Sequence, residues 1–148
     1  MSEHCATIHW ERGEAEFTYE GYSRDHTWTF DGDVRVPASA APDFLGTANR
    51  VDPEEAFVAA LSSCHMLTFL AIAARKRLVV ERYEDAAVGR MEKNAEGRLA
   101  VTEVRLRPRV TFGGTPPARD VIERLHETAH QHCFIGNSVR TEVRVELD

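Results

Sequence analysis

Three cysteines, Cys5, Cys64 and Cys133, are the residues of this chain best suited to chemistry. An odd set of widely spaced thiols does not predict a framework of structural disulfides, so catalysis, redox exchange or simple packing remain as their functions. A thiolate is the reactive form, and a thiol of ordinary pKa near 8.5 is only about 3% ionised at pH 7. A reactive cysteine here therefore needs a cation nearby.

Cys64 lies inside a long apolar segment that predicts a helix. The amino end of a helix, which can lower the pKa of a thiol, is too far away to help, so a cation must come from elsewhere in the fold, and Arg24 is the candidate. The alternative interpretation is that Cys64 is a small buried hydrophobe. We assign no role to His65, because adjacent helical residues point about 100° apart.

Cys133 follows a cluster of histidines, which raises a second hypothesis. His126, His130, His132 and Cys133 are all ligand types for zinc, and the first two lie four residues apart on a predicted helix. No CxxC or HExxH pattern accompanies them. We therefore predict no metal and no organic cofactor.

Asp52-Pro53-Glu54-Glu55 is typical of a helix start, with a capping residue, proline at the first helical position and an acid at the third. The apolar run that follows ends at three cations, Arg75-Lys76-Arg77, so we predict a helix over about Pro53–Lys76. Its length approaches that of a membrane span, but its polar residues and amphipathic neighbours favour a core helix and no membrane partner. Only one of the two glutamates is needed for the helix start.

Alternating polar and apolar residues predict strands on both sides of this helix. We expect an antiparallel meander in the first third, a turn at 94–97 between two longer strands, and one strand running from about Glu103 to Phe112 with Pro108 at an edge or bulge. A second helix is predicted over about 117–131 and a last strand over 139–147. The predicted meander strands lie at 6–10, 15–19 and 28–30. The class is α+β, in a single domain, 1–148.

Composition excludes several functions. The chain has 148 residues, 43% of them hydrophobic and 28% charged, as in ordinary globular proteins. Its net charge of −6 argues against a nucleic-acid partner. The first residues show no export-signal pattern, so we expect a cytoplasmic protein.

The segment from Asp52 to Cys64, with a cysteine ten residues after Glu54, resembles the signature helix of the OsmC/Ohr superfamily, the osmotically inducible and organic hydroperoxide resistance proteins. Cys133 resembles the later thiol of that family, and Arg24 resembles the arginine of its amino-terminal loop. The resemblance implies an OsmC-like fold, with antiparallel sheets packed around a long central helix in an intertwined homodimer.

The resemblance also implies a thiol-dependent peroxidase that reduces organic hydroperoxides to alcohols. In that reaction Cys64 becomes a sulfenic acid, Cys133 condenses with it to a disulfide, and an external dithiol, such as a lipoylated protein, reduces the disulfide. Arg24 would stabilise the thiolate, and Glu54 would hold Arg24. Because Glu54 and Cys64 are about 15 Å apart on one straight helix, we expect Glu54, with or without Arg24, to complete the partner subunit's site.

The chain departs from the family pattern at three places. Phe134 follows Cys133 where better-known members have proline, no pair of glycines precedes Arg24, and Cys5 has no counterpart. The alternative function is a catalytically weak OsmC-like dimer that binds a small apolar molecule or senses thiol oxidation.

Overall fold

The computed structural model describes all 148 residues. The chain divides into two compact units, 1–56 and 57–148. The elements are β1 (Thr7–His9), β2 (His26–Thr29), β3 (Arg35–Ala38), α1 (Pro53–Arg75), β4 (Val80–Asp85), β5 (Val88–Lys93), β6 (Leu99–Leu106), β7 (Pro108–Phe112), α2 (Arg119–His132) and β8 (Glu142–Val145). Both predicted helices and the α+β class are confirmed. That the whole chain is one domain stays a prediction.

The first unit contains a three-stranded antiparallel sheet in the order β1-β2-β3, with Trp28 of β2 paired with Ile8 on one side and Val36 on the other. The predicted strand at 15–19 is wrong. Residues 16–22 form turns, in which the Thr18 carbonyl accepts hydrogen bonds from the backbone N–H groups of Gly21 and Tyr22. Phe17 packs against the Trp10 and Tyr22 rings, and Tyr19 lies beside the Arg24 guanidinium, so neither pairs in a strand ladder.

Strand β3 was not predicted, because it contains Pro37, which has no backbone N–H to donate to a strand ladder. The strand tolerates the proline because it is at the edge of the sheet.

Helix α1 begins with the capping arrangement that its sequence predicts. The Asp52 carboxylate accepts a hydrogen bond from the Glu55 N–H at 2.8 Å, and the Glu55 carboxylate accepts one from the Asp52 N–H at 3.1 Å. Glu55 is therefore the glutamate that caps the helix start, and Glu54 takes no part in this pair of hydrogen bonds. The helix ends at Arg75, and Arg77 then adopts a left-handed conformation with φ of 59°, which closes the helix in the manner usual for glycine.

The buried side of α1 in the second unit is a row spaced four residues apart: Leu61, His65, Phe69 and Ala73. Phe69 and Ala73 pack against Leu125 and Ala129 of α2, while Leu61 packs against Val104 and Leu106 of β6. By length and composition α1 could cross a membrane, with a mean hydropathy of 1.9. In this unit only the row from Leu61 to Ala73 is buried.

The second unit has two sheets, β4-β7 and β5-β6-β8. The turn predicted at 94–97 is confirmed, since Gly97 has φ of 77° and its N–H donates to the Asn94 carbonyl. The single strand predicted from Glu103 to Phe112 is wrong: it is two strands, β6 and β7, in different sheets. Pro108 begins β7, where its missing donor costs no ladder hydrogen bond.

Two further features of these sheets were not predicted. The last strand, β8, is shorter than predicted and pairs with β6 in parallel. Asp85 fixes the point where the chain passes between the sheets: its carboxylate accepts hydrogen bonds from the Arg107 N–H at 2.6 Å and from the Ser62 hydroxyl of α1.

Candidate functional site

Two thiols from distant parts of the sequence are neighbours in the second unit. Cys64 is half-buried on α1, and Cys133 directly follows α2 with only 3% of its surface exposed. The loop after α2 contacts both sulfurs: the Ile135 N–H donates to Cys64 Sγ at 3.5 Å, and the Gly136 N–H donates to Cys133 Sγ at 3.4 Å. Both cysteines are free thiols.

The surroundings of Cys133 distinguish it from Cys64. Burial raises the pKa of the Cys133 thiol, and the adjacent Cys64 raises it further, while the N–H groups of Gly136 and Ile135 act in the opposite direction. The Cys133 thiol therefore stays protonated near neutral pH. Cys64, the more exposed of the two, is the better placed to meet a reactant from solvent.

Gly136 is the point where the loop packs against Cys133 in van der Waals contact. A Cβ atom at this position would lie 3.4 Å from both Cβ and Sγ of Cys133. Phe134, which separates Cys133 from this loop, is 79% exposed in the single chain. The loop thus contacts the buried sulfur through a backbone N–H group, while the Phe134 side chain points outward.

Arg24 lies in the first unit, between the turns at 16–22 and β2. Its guanidinium lies over the Tyr22 ring, 3.6 Å from the ring centroid, and 5.1 Å from that of Tyr19. One N–H donates to the Tyr22 carbonyl at 2.6 Å and another to the Tyr19 carbonyl. The cation is therefore held by its own loop.

Glu54 and Arg24 line one cavity of the first unit, with a volume of about 640 Å³. The two side chains do not form an ion pair in the single chain, so their pairing stays a prediction. Most of the cavity wall is apolar and aromatic. Its other lining residues are Ile8, Trp10, Phe17, Tyr22, His26, Ser39, Ala40, Ala41, Phe44 and Pro53.

Sequence reasoning missed a buried pair of histidines. His65 Nε2 and His126 Nδ1 are 3.0 Å apart, and the ring planes differ by only 2° with centroids 5.3 Å apart, as an in-plane hydrogen bond requires. Burial lowers the pKa of each imidazole to about 4. The available signal was the position of His65 midway between Leu61 and Phe69, at helical spacing on the buried row.

This pair also bears on the zinc hypothesis for His126, His130, His132 and Cys133. The Nδ1 of His126 faces His65, and the Cys133 sulfur faces Gly136 and Cys64. The structure contains no group of three or more histidine, cysteine, aspartate or glutamate side chains arranged to hold a metal ion. The four residues therefore do not form one cluster of ligands in the structure.

Fold and thiol geometry together define an α+β protein with two adjacent cysteines, one on a long core helix and one after a second helix. Comparison with known proteins gives the family. The profile of the OsmC-like protein family matches residues 46–148. This chain belongs to the OsmC-like protein family.

Solved structures agree with this assignment. An OsmC-like protein of unknown function from Vibrio cholerae is 53% identical, with a TM-score of 0.96 and complete coverage of both chains. An organic hydroperoxide resistance protein from Elizabethkingia anophelis is 18% identical, with a TM-score of 0.74 over 99% of this chain and 94% of its own.

The organic hydroperoxide resistance protein OhrB of Bacillus subtilis is 19% identical, with a TM-score of 0.68 over 97% of this chain and 98% of its own. At these lower identities the likeness shows the fold alone. The search of curated protein sequences returned no match.

Proposed function

We propose that this protein is a thiol-dependent peroxidase that reduces organic hydroperoxides to alcohols. The observation that carries the proposal is the contact between Cys64 and Cys133, with a backbone N–H aimed at each sulfur. Two adjacent free thiols of unequal burial suit a cycle in which one is oxidised and the other resolves it. The names of two structurally similar proteins, both organic hydroperoxide resistance proteins, point to the same substrate class.

In the first step the Cys64 thiolate attacks one peroxide oxygen and the O–O bond breaks. Cys64 becomes a sulfenic acid, and the other oxygen leaves as an alkoxide that takes up a proton to give the alcohol. The Ile135 N–H, 3.5 Å from Cys64 Sγ, favours negative charge on that sulfur. No metal or organic cofactor takes part in this step.

In the second step Cys133 attacks the sulfenic sulfur, the S–O bond breaks, and water leaves as the disulfide forms. Because Cys133 is buried and protonated, it must lose its proton during this step, and the departing hydroxide accepts it. An external dithiol, such as a lipoylated protein, then reduces the disulfide by two exchanges and becomes a disulfide itself. A reducing compartment such as the cytoplasm supplies such dithiols.

Arg24 and Glu54 complete the proposed site. Arg24 stabilises the thiolate and the charge that develops on the leaving oxygen, and Glu54 pairs with Arg24. Helix α1 is continuous from Pro53 to Arg75, so Glu54 and Cys64 are separated by about 15 Å along it. We therefore expect a homodimer in which Glu54, with or without Arg24, serves the partner's Cys64.

The homodimer has a second support in the exposed side of α1. Leu67 is 60% exposed in the single chain, and Ala60, Ala71 and Ala74 on the same side are exposed too. A row of apolar residues on the most apolar helix of the chain is suited to burial against a second copy. The apolar cavity beside Arg24 is in turn suited to the alkyl or aryl part of an organic hydroperoxide.

The test is steady-state consumption of cumene hydroperoxide in the presence of a dithiol. We expect turnover in the wild type, none in Cys64→Ser, and full turnover in Cys5→Ser, the matched control at an exposed cysteine. Arg24→Met should lower kcat/KM by about 100-fold, the usual effect of removing a group that stabilises a developing oxyanion. Equal turnover in the wild type and Cys64→Ser would exclude a peroxidase that acts through Cys64.

The second candidate is a binding protein for a small apolar molecule, which the cavity of about 640 Å³ favours. It predicts no hydroperoxide turnover in the wild type. It also predicts that an apolar probe, such as cumyl alcohol, binds equally well to the wild type and to Cys64→Ser.

A further inference from the structure

The loop that carries Arg24 holds the arginine by several independent contacts, none of which uses Glu54. The face of the guanidinium lies over the Tyr22 ring at 3.6 Å, and two of its N–H groups donate to the Tyr19 and Tyr22 carbonyl oxygens. A guanidinium has five N–H donors, so three remain free. Those three are available to a thiolate or a peroxide oxygen.

The backbone on either side of Arg24 is fixed as well. The Trp10 indole N–H donates to the Ser23 carbonyl at 2.7 Å. The Trp28 indole N–H donates to His26 Nε2 at 2.9 Å, so Nε2 is an acceptor and the proton of the neutral ring is on Nδ1. That Nδ1–H in turn donates to the Arg24 carbonyl at 2.7 Å.

Aromatic packing places the Tyr22 ring under the guanidinium. Tyr22 contacts Phe17, with centroids 5.4 Å apart, and Trp10 edge-on at 6.2 Å. Gly21 permits the tight turn before it, because a Cβ there would lie 2.7 Å from the Thr18 hydroxyl oxygen. The ring is therefore supported by Phe17 and Trp10.

From these contacts we propose that Tyr22 is a positioning residue for Arg24: its ring face holds the guanidinium in one orientation, with three N–H groups not used by the loop carbonyls. This rests on the proposed function, in which Arg24 acts on the peroxide reaction. It adds to that function a second support for the arginine, independent of Glu54. Tyr22 itself does not touch the reacting atoms in this proposal.

The experiment compares Tyr22→Leu, which removes the ring, with Tyr22→Phe, which keeps it. We expect Tyr22→Leu to lower kcat/KM for cumene hydroperoxide by about 2- to 30-fold, the range of a cation–π contact, mainly through kcat. Tyr22→Phe should retain most of the turnover. The rate of Cys64 alkylation at pH 7 should fall in Tyr22→Leu but not in Tyr22→Phe.

A double-mutant cycle separates positioning from general damage to the fold. If Tyr22 acts through Arg24, Tyr22→Leu should have no further effect on kcat/KM in the Arg24→Met background. The same loss in both backgrounds would overturn the proposal. So would a normal Tyr22→Leu enzyme beside an impaired Arg24→Met enzyme, a result that leaves the proposed function intact.

A direct measurement does not depend on turnover. An N–H group over an aromatic ring shows a ring-current shift, so the Arg24 side-chain N–H resonance should be displaced in the wild type and in Tyr22→Phe and return to the ordinary position in Tyr22→Leu. An unchanged resonance in Tyr22→Leu contradicts the inference even if the protein is a peroxidase. Conversely, absence of turnover in the wild type, with the expected resonance shifts, refutes the proposed function and leaves the placement of Arg24 by Tyr22 standing.

Discussion

The buried pair of His65 and His126 predicts a steep loss of stability in mild acid. Either tautomer of the hydrogen bond between them leaves one N–H and one nitrogen lone pair without a partner, since His65 Nδ1 and His126 Nε2 are both unpaired and buried. Protonating either ring would add a charge where only 1% and 2% of the residue surfaces are exposed. The folded protein therefore resists a proton that the unfolded chain accepts.

The magnitude follows from the two pKa values. Burial is the main cause that lowers the pKa of each histidine from 6.5 to about 4; His130 adds to the effect at His65, and Asp85 opposes it there. The contribution of each histidine to the free energy of unfolding is fully present above pH 6.5. It is lost as the pH falls toward 4, because only the unfolded state takes up the proton in that range. Between pH 7.5 and 5.0 the loss is about 2 kcal/mol for each histidine and about 4 kcal/mol for the pair.

Urea denaturation at pH 7.5 and pH 5.0 measures this loss. The window ends at pH 5.0 so that most carboxylates, with ordinary pKa values near 4, contribute little. Between these two pH values the free energy of unfolding of the wild type should fall by about 4 kcal/mol more than that of the double variant His65→Gln/His126→Gln. His132→Gln, a control at an exposed histidine of α2, should behave as the wild type. An identical pH dependence in the wild type and the double variant would refute the reasoning.

Three further predictions concern the sheets, the helix start and the second thiol. Asp85→Ala should lower the free energy of unfolding by about 1–3 kcal/mol in urea, because it leaves the Arg107 N–H and the Ser62 hydroxyl without their acceptor; an equally stable Asp85→Ala protein would contradict this. Asp52→Ala should cost about 1 kcal/mol in the same assay through loss of the helix cap, whereas Asp52→Ser, which keeps a capping oxygen, should cost less. With one equivalent of hydroperoxide, Cys133→Ser should accumulate a sulfenic acid that dimedone traps, seen by mass spectrometry, where the wild type forms an intramolecular disulfide; a disulfide in the variant would point to Cys5 instead.

Local sequence patterns were sufficient where the controlling interactions are local. Asp52, Pro53 and Glu55 predicted the start of α1 because a helix cap needs only residues within one turn. The turn at 94–97 was predictable for the same reason. The alternation at 15–19 led to a wrong prediction of a strand, because period-two spacing does not show whether a partner strand is available.

The sequence by itself determined the helices, the α+β class, the cysteine in the apolar helix and a fold family. Tertiary structure decided that the chain changes sheets at Pro108, that β8 joins β6 in parallel, that His65 meets His126, and that the loop after α2 brings Cys133 to Cys64. The physical reason is that these are contacts between residues far apart in the chain. Their free energy depends on burial and packing that no short window of sequence contains.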